Sequence, residues 1–357
     1  MVKKTSVATN SINVAVDTGF GYGLMVCPNK KVKVSSFIEE IKEEQAFGYA
    51  SNISYDDVIN GKKLVIKYIK KDDEGRIVYK YFILGEYCES VYTDNSRFVT
   101  DNRVGDEKHL IQLLSLLGLA VEKTSDVNVN LGMGFPTKLR HEEELIINWL
   151  TDRFEFSYLY SEGELARNIN IENVLTCGQS MAPIFILPED DFEKNVLSMD
   201  FGHNTNDYLY SQAGNKQNRY MINKRGFRHR YNDMEDLLLR RFYKITKNFK
   251  ESTVQLALET GTIKLKDGVH NVEDLQIEVL SNYADEIKKD LITYYQEILD
   301  DVEIIMLSGG IIENDKFYKL LIEKTKDILG ESIVIDRRED AQWNVVNGLY
   351  EILLDEF

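Results

Sequence analysis

Proline is scarce in this chain. Only 4 occur in 357 residues, and no Ser-, Gly- or Pro-rich stretch separates one half from the other. Two domains are therefore expected to interleave rather than follow one another on a linker. Cysteine is equally sparse. Cys27, Cys88 and Cys177 are an odd number without CxxC spacing, which argues against a disulfide framework or a zinc site and fits a reducing compartment. Long apolar runs are missing too: none approaches the roughly 18 residues of a membrane span. The N-terminal MVKKTSVATNS is polar and lacks the apolar core of a signal peptide. A cytoplasmic location with no membrane partner is expected.

Positive charge is in deficit. Lys and Arg number 43 against 59 Asp and Glu, a formal net charge of −16. Direct contact with a nucleic-acid backbone, which needs clustered cations, is not expected. One basic stretch, NKRGFRHR (223–230), stands apart. It could approach a ribose and base, face a neighbouring subunit, or be a solvated loop.

At 41.3 kDa the chain exceeds one ordinary core. Residues 12–17 read as a buried strand ending at Asp17, and LMVC (24–27) resumes it as a hairpin. KLVIKYIK (63–70) and RIVYKYFIL (76–84) flank KDDEG as a second hairpin. Residues 107–118 and 142–152 have helical spacing, and 126–136, 154–160 and 168–176 read as strands. The second half repeats the scheme. VLSMD (196–200) and DYLYS (207–211) read as strands, followed by helices over 232–247, 251–261 and 272 to about 299. Strand 302–307, helix 315–329, strand 332–336 and helix 341–354 close the chain.

Two segments are the most informative. NVAVDTGFGYGLMV (13–26) and VLSMDFGHNTNDYLY (196–210) each deliver an aspartate, a glycine two residues on, and then small or polar residues. Such a turn brings backbone N–H groups close to a phosphate. Downstream, VEIIMLSGGIIEND (302–315) ends a strand in Ser308-Gly309-Gly310. A nucleoside triphosphate needs N–H donors for its phosphates, oxygen ligands for its magnesium and a positioner for the attacking water. Asp17 and Asp200 could hold Mg²⁺ through water, because that ion keeps much of its shell. Turns 18–23 and 201–205 could wrap the phosphates, with Thr205 adding a hydroxyl and Asp207 a second acid.

The ordered set carries more than any one motif. Asp17–Gly19, LGMGFP (131–136), VLTCGQS (174–180), Asp200–Gly202, Ser308–Gly310 and VVNG (345–348) fall in the order and spacing of the actin-like ATPases. The resemblance is closest to the ParM-type bacterial actins that segregate plasmids. Their second phosphate motif looks like DLGGTTLD where this chain has DFGHNTND (200–207). Their adenosine motif looks like IGGGA, here LSGGI (307–311), and their last motif like DLVNGMYLI, here NVVNGLYEI (344–352).

That resemblance implies an α/β, actin-like (ribonuclease H-like, repeated) two-domain fold with a nucleotide cleft between the domains. Residues 1–180 plus 341–357 would form domain I, with an outer subdomain over about 34–79. Residues 181–340 would form domain II, with an outer subdomain over about 221–295. The chain would cross between them near 177–182 and 337–343, making a hinge that closes on nucleotide. Asp17, Thr18, Gly19, Phe20 and Gly21 would belong to the first phosphate loop, and Gly202, His203, Asn204 and Thr205 to the second. Ser308, Gly309, Gly310 and Ile311 would lie against the nucleoside. Gln179 would orient the hydrolytic water, with Asp17 and Asp200 completing the catalytic set. Trp343 and Asn347 would pack at the hinge, and Gly348 would allow close helix approach.

The implied function is a filament-forming, Mg²⁺-dependent ATPase (ATP, or GTP in its place) that polymerises with itself and moves plasmid DNA through a small DNA-binding adaptor. Two departures stand out. Leu24 occupies the position where many relatives carry a phosphate-reaching lysine, and His203 and Asn204 replace the usual glycine and threonine. The alternatives within the same fold are a small-molecule kinase, a chaperone-type ATPase and a nucleotide-binding scaffold without turnover. No kinase-type aspartate motif is evident. A chaperone would need a substrate-binding domain after the ATPase, and the chain ends at Phe357.

Overall fold

The computed structural model describes residues 11–72, 74–92, 104–121, 126–135, 142–213, 218–223, 225–330 and 332–357. The N-terminal tail, Pro136 of the second glycine-rich segment and Lys224 of the basic stretch lie outside them. The chain forms two compact units. One comprises Met1–Ile186 with Val345–Phe357, the other Leu187–Asn344.

The first unit contains β1 (Ile12–Thr18), β2 (Tyr22–Cys27), β3 (Lys30–Ser35), β4 (Ile38–Ile41), β5 (Leu64–Lys71), β6 (Ile77–Leu84), β7 (Asp126–Phe135), β8 (Arg153–Tyr160) and β9 (Gly163–Gly178). Among the described residues they join in one mixed sheet, in the order β3-β2-β1-β7-β9-β8-β5-β6-β4. Helices α1 (Glu43–Ala50), α2 (Tyr55–Ile59), α3 (Gly85–Val91), α4 (Glu107–Leu119) and α5 (Glu143–Leu150) accompany it. The expected hairpin at 63–84 is present as β5 and β6. Its turn is locked by Asp72, whose Oδ1 accepts from the Glu74 and Arg76 amides. Strand β3 alternates exposed Lys31 and Lys33 with buried Val32 and Val34. That period-2 signature was present in the sequence but not read there.

Asparagines fix the register of the central strands. Asn173 Nδ2 donates to Asn130 Oδ1 (2.9 Å), Asn130 Nδ2 to Asn13 Oδ1 (2.8 Å), and Asn13 Nδ2 to the Leu353 carbonyl (3.2 Å). This amide relay runs from β9 across β7 to β1. A one-residue slip would turn every amide to the opposite face and break it.

Helix α4 lies in the core. Nearly all its residues are buried, from Leu110 to Leu119. Asp106 caps its first turn, accepting from the His109 amide at 2.9 Å. Its last carbonyls are taken by long cations: Lys30 donates to Leu119 (3.2 Å) and Arg167 to Gly118 (2.9 Å).

The second unit contains β10 (Val196–Phe201), β11 (Asn206–Ser211), β12 (Asn218–Asn223), β13 (Thr262–Leu265), β14 (Gly268–Asn271), β15 (Ile304–Ser308) and β16 (Val334–Arg337). Its main sheet has the order β12-β11-β10-β15-β16. Helices α6 (Arg228–Phe242), α7 (Glu251–Thr260), α8 (Glu273–Tyr295) and α9 (Asp315–Thr325) pack with it, and α10 (Asn344–Glu356) carries the chain back into the first unit. Along α8, Leu275, Val279, Leu280, Tyr283, Ile287, Leu291 and Tyr295 are buried at helical spacing. Tyr283 stacks on Phe317 with ring centroids 5.1 Å apart.

The two sheets repeat one scheme. In the first, β3, β2 and β1 are successively antiparallel, and β7 and β9 then follow parallel. In the second, β12, β11 and β10 are successively antiparallel, and β15 and β16 follow parallel. Asp17 and Asp200 occupy corresponding places, each near the end of the strand where the antiparallel and parallel halves meet. This is the duplicated ribonuclease H-like architecture expected from the sequence.

Candidate functional site

In the first unit the chain leaves β1 at Asp17-Thr18 and re-enters the sheet at Tyr22. Asp17 is half-buried, and Gln179, just past the end of β9, donates from Nε2 to Asp17 Oδ1 at 2.7 Å. Thr18, by contrast, is buried, and its hydroxyl lies 2.7 Å from His109 Nε2. The Gly19 carbonyl accepts from Ser36 Oγ (2.6 Å) and the Gly21 carbonyl from the Ser36 amide (3.0 Å). Gly19 is needed sterically, because a Cβ there would lie 2.9 Å from the Tyr22 carbonyl oxygen. Phe20 packs its ring against the apolar core. Leu24 is 3% exposed, so no positive charge comes from that position. Gly134 brings its backbone close to the acid: a Cβ there would lie 3.0 Å from Asp17 Oδ1.

In the second unit Asp200 sits between two neighbours in register, Asp207 on β11 and Ser308 on β15. The Gly202 amide donates to the Thr205 carbonyl at 2.9 Å, closing the tight turn. Thr205 Oγ1 donates to Asp207 Oδ2 and Tyr220 Oη to Asp207 Oδ1, both at 2.7 Å. Buried Asp207 is thus satisfied by two hydroxyls. The His203 ring lies against Tyr231, 5.8 Å between centroids.

The segment Gly226–Arg228 buttresses this turn from behind. Gly226, Phe227 and Arg228 donate their amides to the carbonyls of Asn204 (2.9 Å), Gly202 (3.1 Å) and His203 (2.7 Å). A Cβ on Gly226 would run into the Asn204–Thr205 backbone. This role was missed in the sequence, where the segment drew notice for its charge. Its signal was a glycine two residues before a helix, which begins at Arg228 rather than at the expected 232.

Ser308 ends β15, and Gly309 and Gly310 follow it. Gly309 has φ +101°, and a Cβ there would collide with the Phe201 carbonyl. Its amide donates to the Ala341 carbonyl at 3.1 Å. Ile311 turns its side chain into the core. Ser308 Oγ is fully buried and, among the described residues, hydrogen-bonds to nothing in the protein; Ser180 Oγ, beside Gln179, is in the same condition. Ser198 Oγ, two residues before Asp200, shares it but lies on neither turn.

In the last motif, Gly348 allows the backbone of α10 to press on the Ala182 carbonyl, where a Cβ would clash. Burial raises the Asp290 carboxyl above its ordinary value, against hydrogen bonds from Asn223 and Tyr208 that pull it down. Among the described residues, no helix is long and apolar enough to cross a membrane.

A mixed α/β chain in two units, each with a five-strand 3-2-1-4-5 core and an Asp-x-Gly turn at its switch point, has the actin-like fold. No family model and no curated protein matches the sequence. Solved structures do match over 97–98% of the chain. The actin-like protein Alp7A superposes with a TM-score of 0.77 at 15% identity, covering 97% of each chain. A 15-stranded ParM filament from Clostridium botulinum gives 0.75 at 18% identity, over 98% of this chain and 100% of that one. Bacillus thuringiensis ParM with AMPPNP gives 0.69 at 17% identity, with the same coverage. At these identities the likeness is one of fold.

Proposed function

We propose that this chain is a nucleotide-dependent, filament-forming ATPase of the actin-like kind that segregates plasmid DNA through a small DNA-binding adaptor. The observation that carries the reading is the duplication: the same turn, led by an aspartate, ends the corresponding strand of each unit. The solved ParM filament and the ParM structure with AMPPNP share this fold, which supports assembly and nucleotide binding here.

In this reading each of the two turns is a phosphate-binding element. Backbone N–H groups of 18–21 and 203–205 take the phosphates, the Gly202 N–H being committed to closing its own turn, and Ser308–Gly310 take the nucleoside. The donors fit magnesium: the half-buried carboxylates of Asp17 and Asp200 suit a hard cation bound through its own waters. When bound, the ion neutralises phosphate charge as the terminal phosphoryl group leaves. The orphaned hydroxyls of Ser308 and Ser180 also fit a polar ligand, since a buried hydroxyl without a partner is costly. Because Gln179 turns Nε2 to Asp17, the Oε1 end of its amide is the acceptor that orients an attacking water. With Leu24 apolar and buried, the phosphate charge rests on backbone amides and metal.

Nucleotide fixes the shape of the subunit, and a head-to-tail contact that does not close on itself then propagates as a filament. The net charge of −16 disfavours direct DNA binding and favours an adaptor. Light scattering and pelleting should require ATP or GTP with Mg²⁺. A protein that stays monomeric at roughly tens of micromolar, well above ordinary weak-interface constants, sinks the filament reading. Binding without phosphate release would instead favour a scaffold without turnover, the reading that Leu24 supports.

A further inference from the structure

Helix α4 is buried along nearly its whole length, yet three of its buried side chains are polar: His109, Gln112 and Ser115, of which the last bonds back to the helix's own Gln112 carbonyl. His109 is 0% and Gln112 2% exposed. His109 and Gln112, one turn apart, serve the same short segment. His109 Nε2 meets the Thr18 hydroxyl at 2.7 Å. Gln112 Nε2 donates to Ser36 Oγ at 2.6 Å, and Ser36 Oγ donates in turn to the Gly19 carbonyl.

These contacts decide which way the first turn faces. A trans peptide is planar, so its C=O and N–H point in opposite directions. Holding the Gly19 carbonyl on Ser36 therefore turns the Phe20 N–H the other way. An anion site needs its N–H groups aimed before the anion arrives. Thr18 is 1% exposed and its hydroxyl is engaged by the imidazole, so the hydroxyl serves the shape of the turn rather than a ligand. Apolar side chains would bury more cheaply at both positions of α4. Gln112 Oε1 in fact finds no hydrogen-bond partner among the described residues.

We infer that His109 is a positioning residue of the nucleotide site, acting through the Thr18 hydroxyl to hold the first phosphate turn in its binding shape. The inference rests on the nucleotide-binding reading above and assigns that site a residue outside its motifs.

The test uses the full chain, titrated with a fluorescent ATP analogue and Mg²⁺, alongside urea midpoints without nucleotide. His109→Leu is expected to weaken affinity by roughly tenfold or more, the range set by one lost buried hydrogen bond. His109→Gln, whose amide can take up the Nε2 contact, is expected to recover most of it. Thr18→Val, which keeps the shape and drops the hydroxyl, should match His109→Leu. The double variant should be no worse than either single one, because both remove one contact.

A purely structural role would lower the urea midpoint and leave the affinity of the folded protein unchanged. That result overturns the inference, and so do additive losses in the double variant. If His109→Leu does not fold, Thr18→Val and His109→Gln carry the comparison. Wild-type protein that binds no nucleotide overturns the inference together with the reading beneath it. Wild-type binding that all variants share overturns the inference alone.

Discussion

The side-chain amide of Gln179 donates to the Asp17 carboxylate across 2.7 Å, joining residues 162 positions apart. The contact places the residue expected to orient water beside one expected to hold metal. On the proposed reading, Gln179→Ala removes the group that orients the water while leaving both Asp-x-Gly turns intact. Phosphate release should fall by roughly 10- to 1000-fold, with nucleotide affinity little changed and filaments that persist longer. Asp200→Ala should impair both hydrolysis and assembly. Wild-type phosphate release from Gln179→Ala would show that another residue positions the water.

Glycine substitutions should separate by what their Cβ meets. Gly309→Ala forces a side chain into the left-handed region and onto the Phe201 backbone, and Gly226→Ala presses on Asn204 and Thr205. Each should lose about 1–3 kcal/mol of stability or more and weaken nucleotide binding, because both backbones adjoin the second turn. Gly48, inside α1, has nothing within 4 Å. Gly48→Ala should raise stability by about 0.5–1 kcal/mol. Urea midpoints in the opposite order would refute the steric argument.

The asparagine relay predicts a chemical asymmetry at its centre. Asn130 donates to Asn13 and accepts from Asn173. An aspartate there can still accept but, ionised, cannot donate. Asn130→Asp should cost about 1–3 kcal/mol, measured by chemical denaturation at neutral pH, and should recover part of it in acid. A neutral effect would mean that the amides do not set the register.

Asp290 makes a pH-dependent contribution whose sign can be stated. Its folded value is raised by burial above 3.8, so the folded state binds the proton more tightly than the unfolded chain. The stability it adds is fully present below 3.8 and is lost as pH rises through the raised folded value. Asp290→Asn, which keeps the acceptor for Asn223 and Tyr208, removes that dependence. The urea midpoint of Asp290→Asn relative to wild type should therefore climb from about pH 3.5 to about pH 7. A flat difference would contradict it.

Much of the architecture is already written in local pattern. The apolar runs ending in Asp17 and Asp200, the glycines two residues on, and the Ser308-Gly309 turn announce strands that break into tight turns. Those features depend on residues adjacent in the chain, where turn chemistry and periodicity act. Helix α4 and the long α8 are legible for the same reason. The short strands β4, β12, β13 and β14 are not, since four to six residues carry little periodicity of their own.

What the sequence alone determined is therefore the repeated scheme and the identity of its two turns. Tertiary structure decided how the turns are held. His109 reaches Thr18 across 91 positions, and Gln112 reaches Ser36 across 76. Gly226 buttresses Asn204 through its own backbone amide. No local pattern encodes such contacts. They exist because a buried polar group must find a partner wherever the packed chain brings one, and that partner is fixed only when the strands and helices have taken their places.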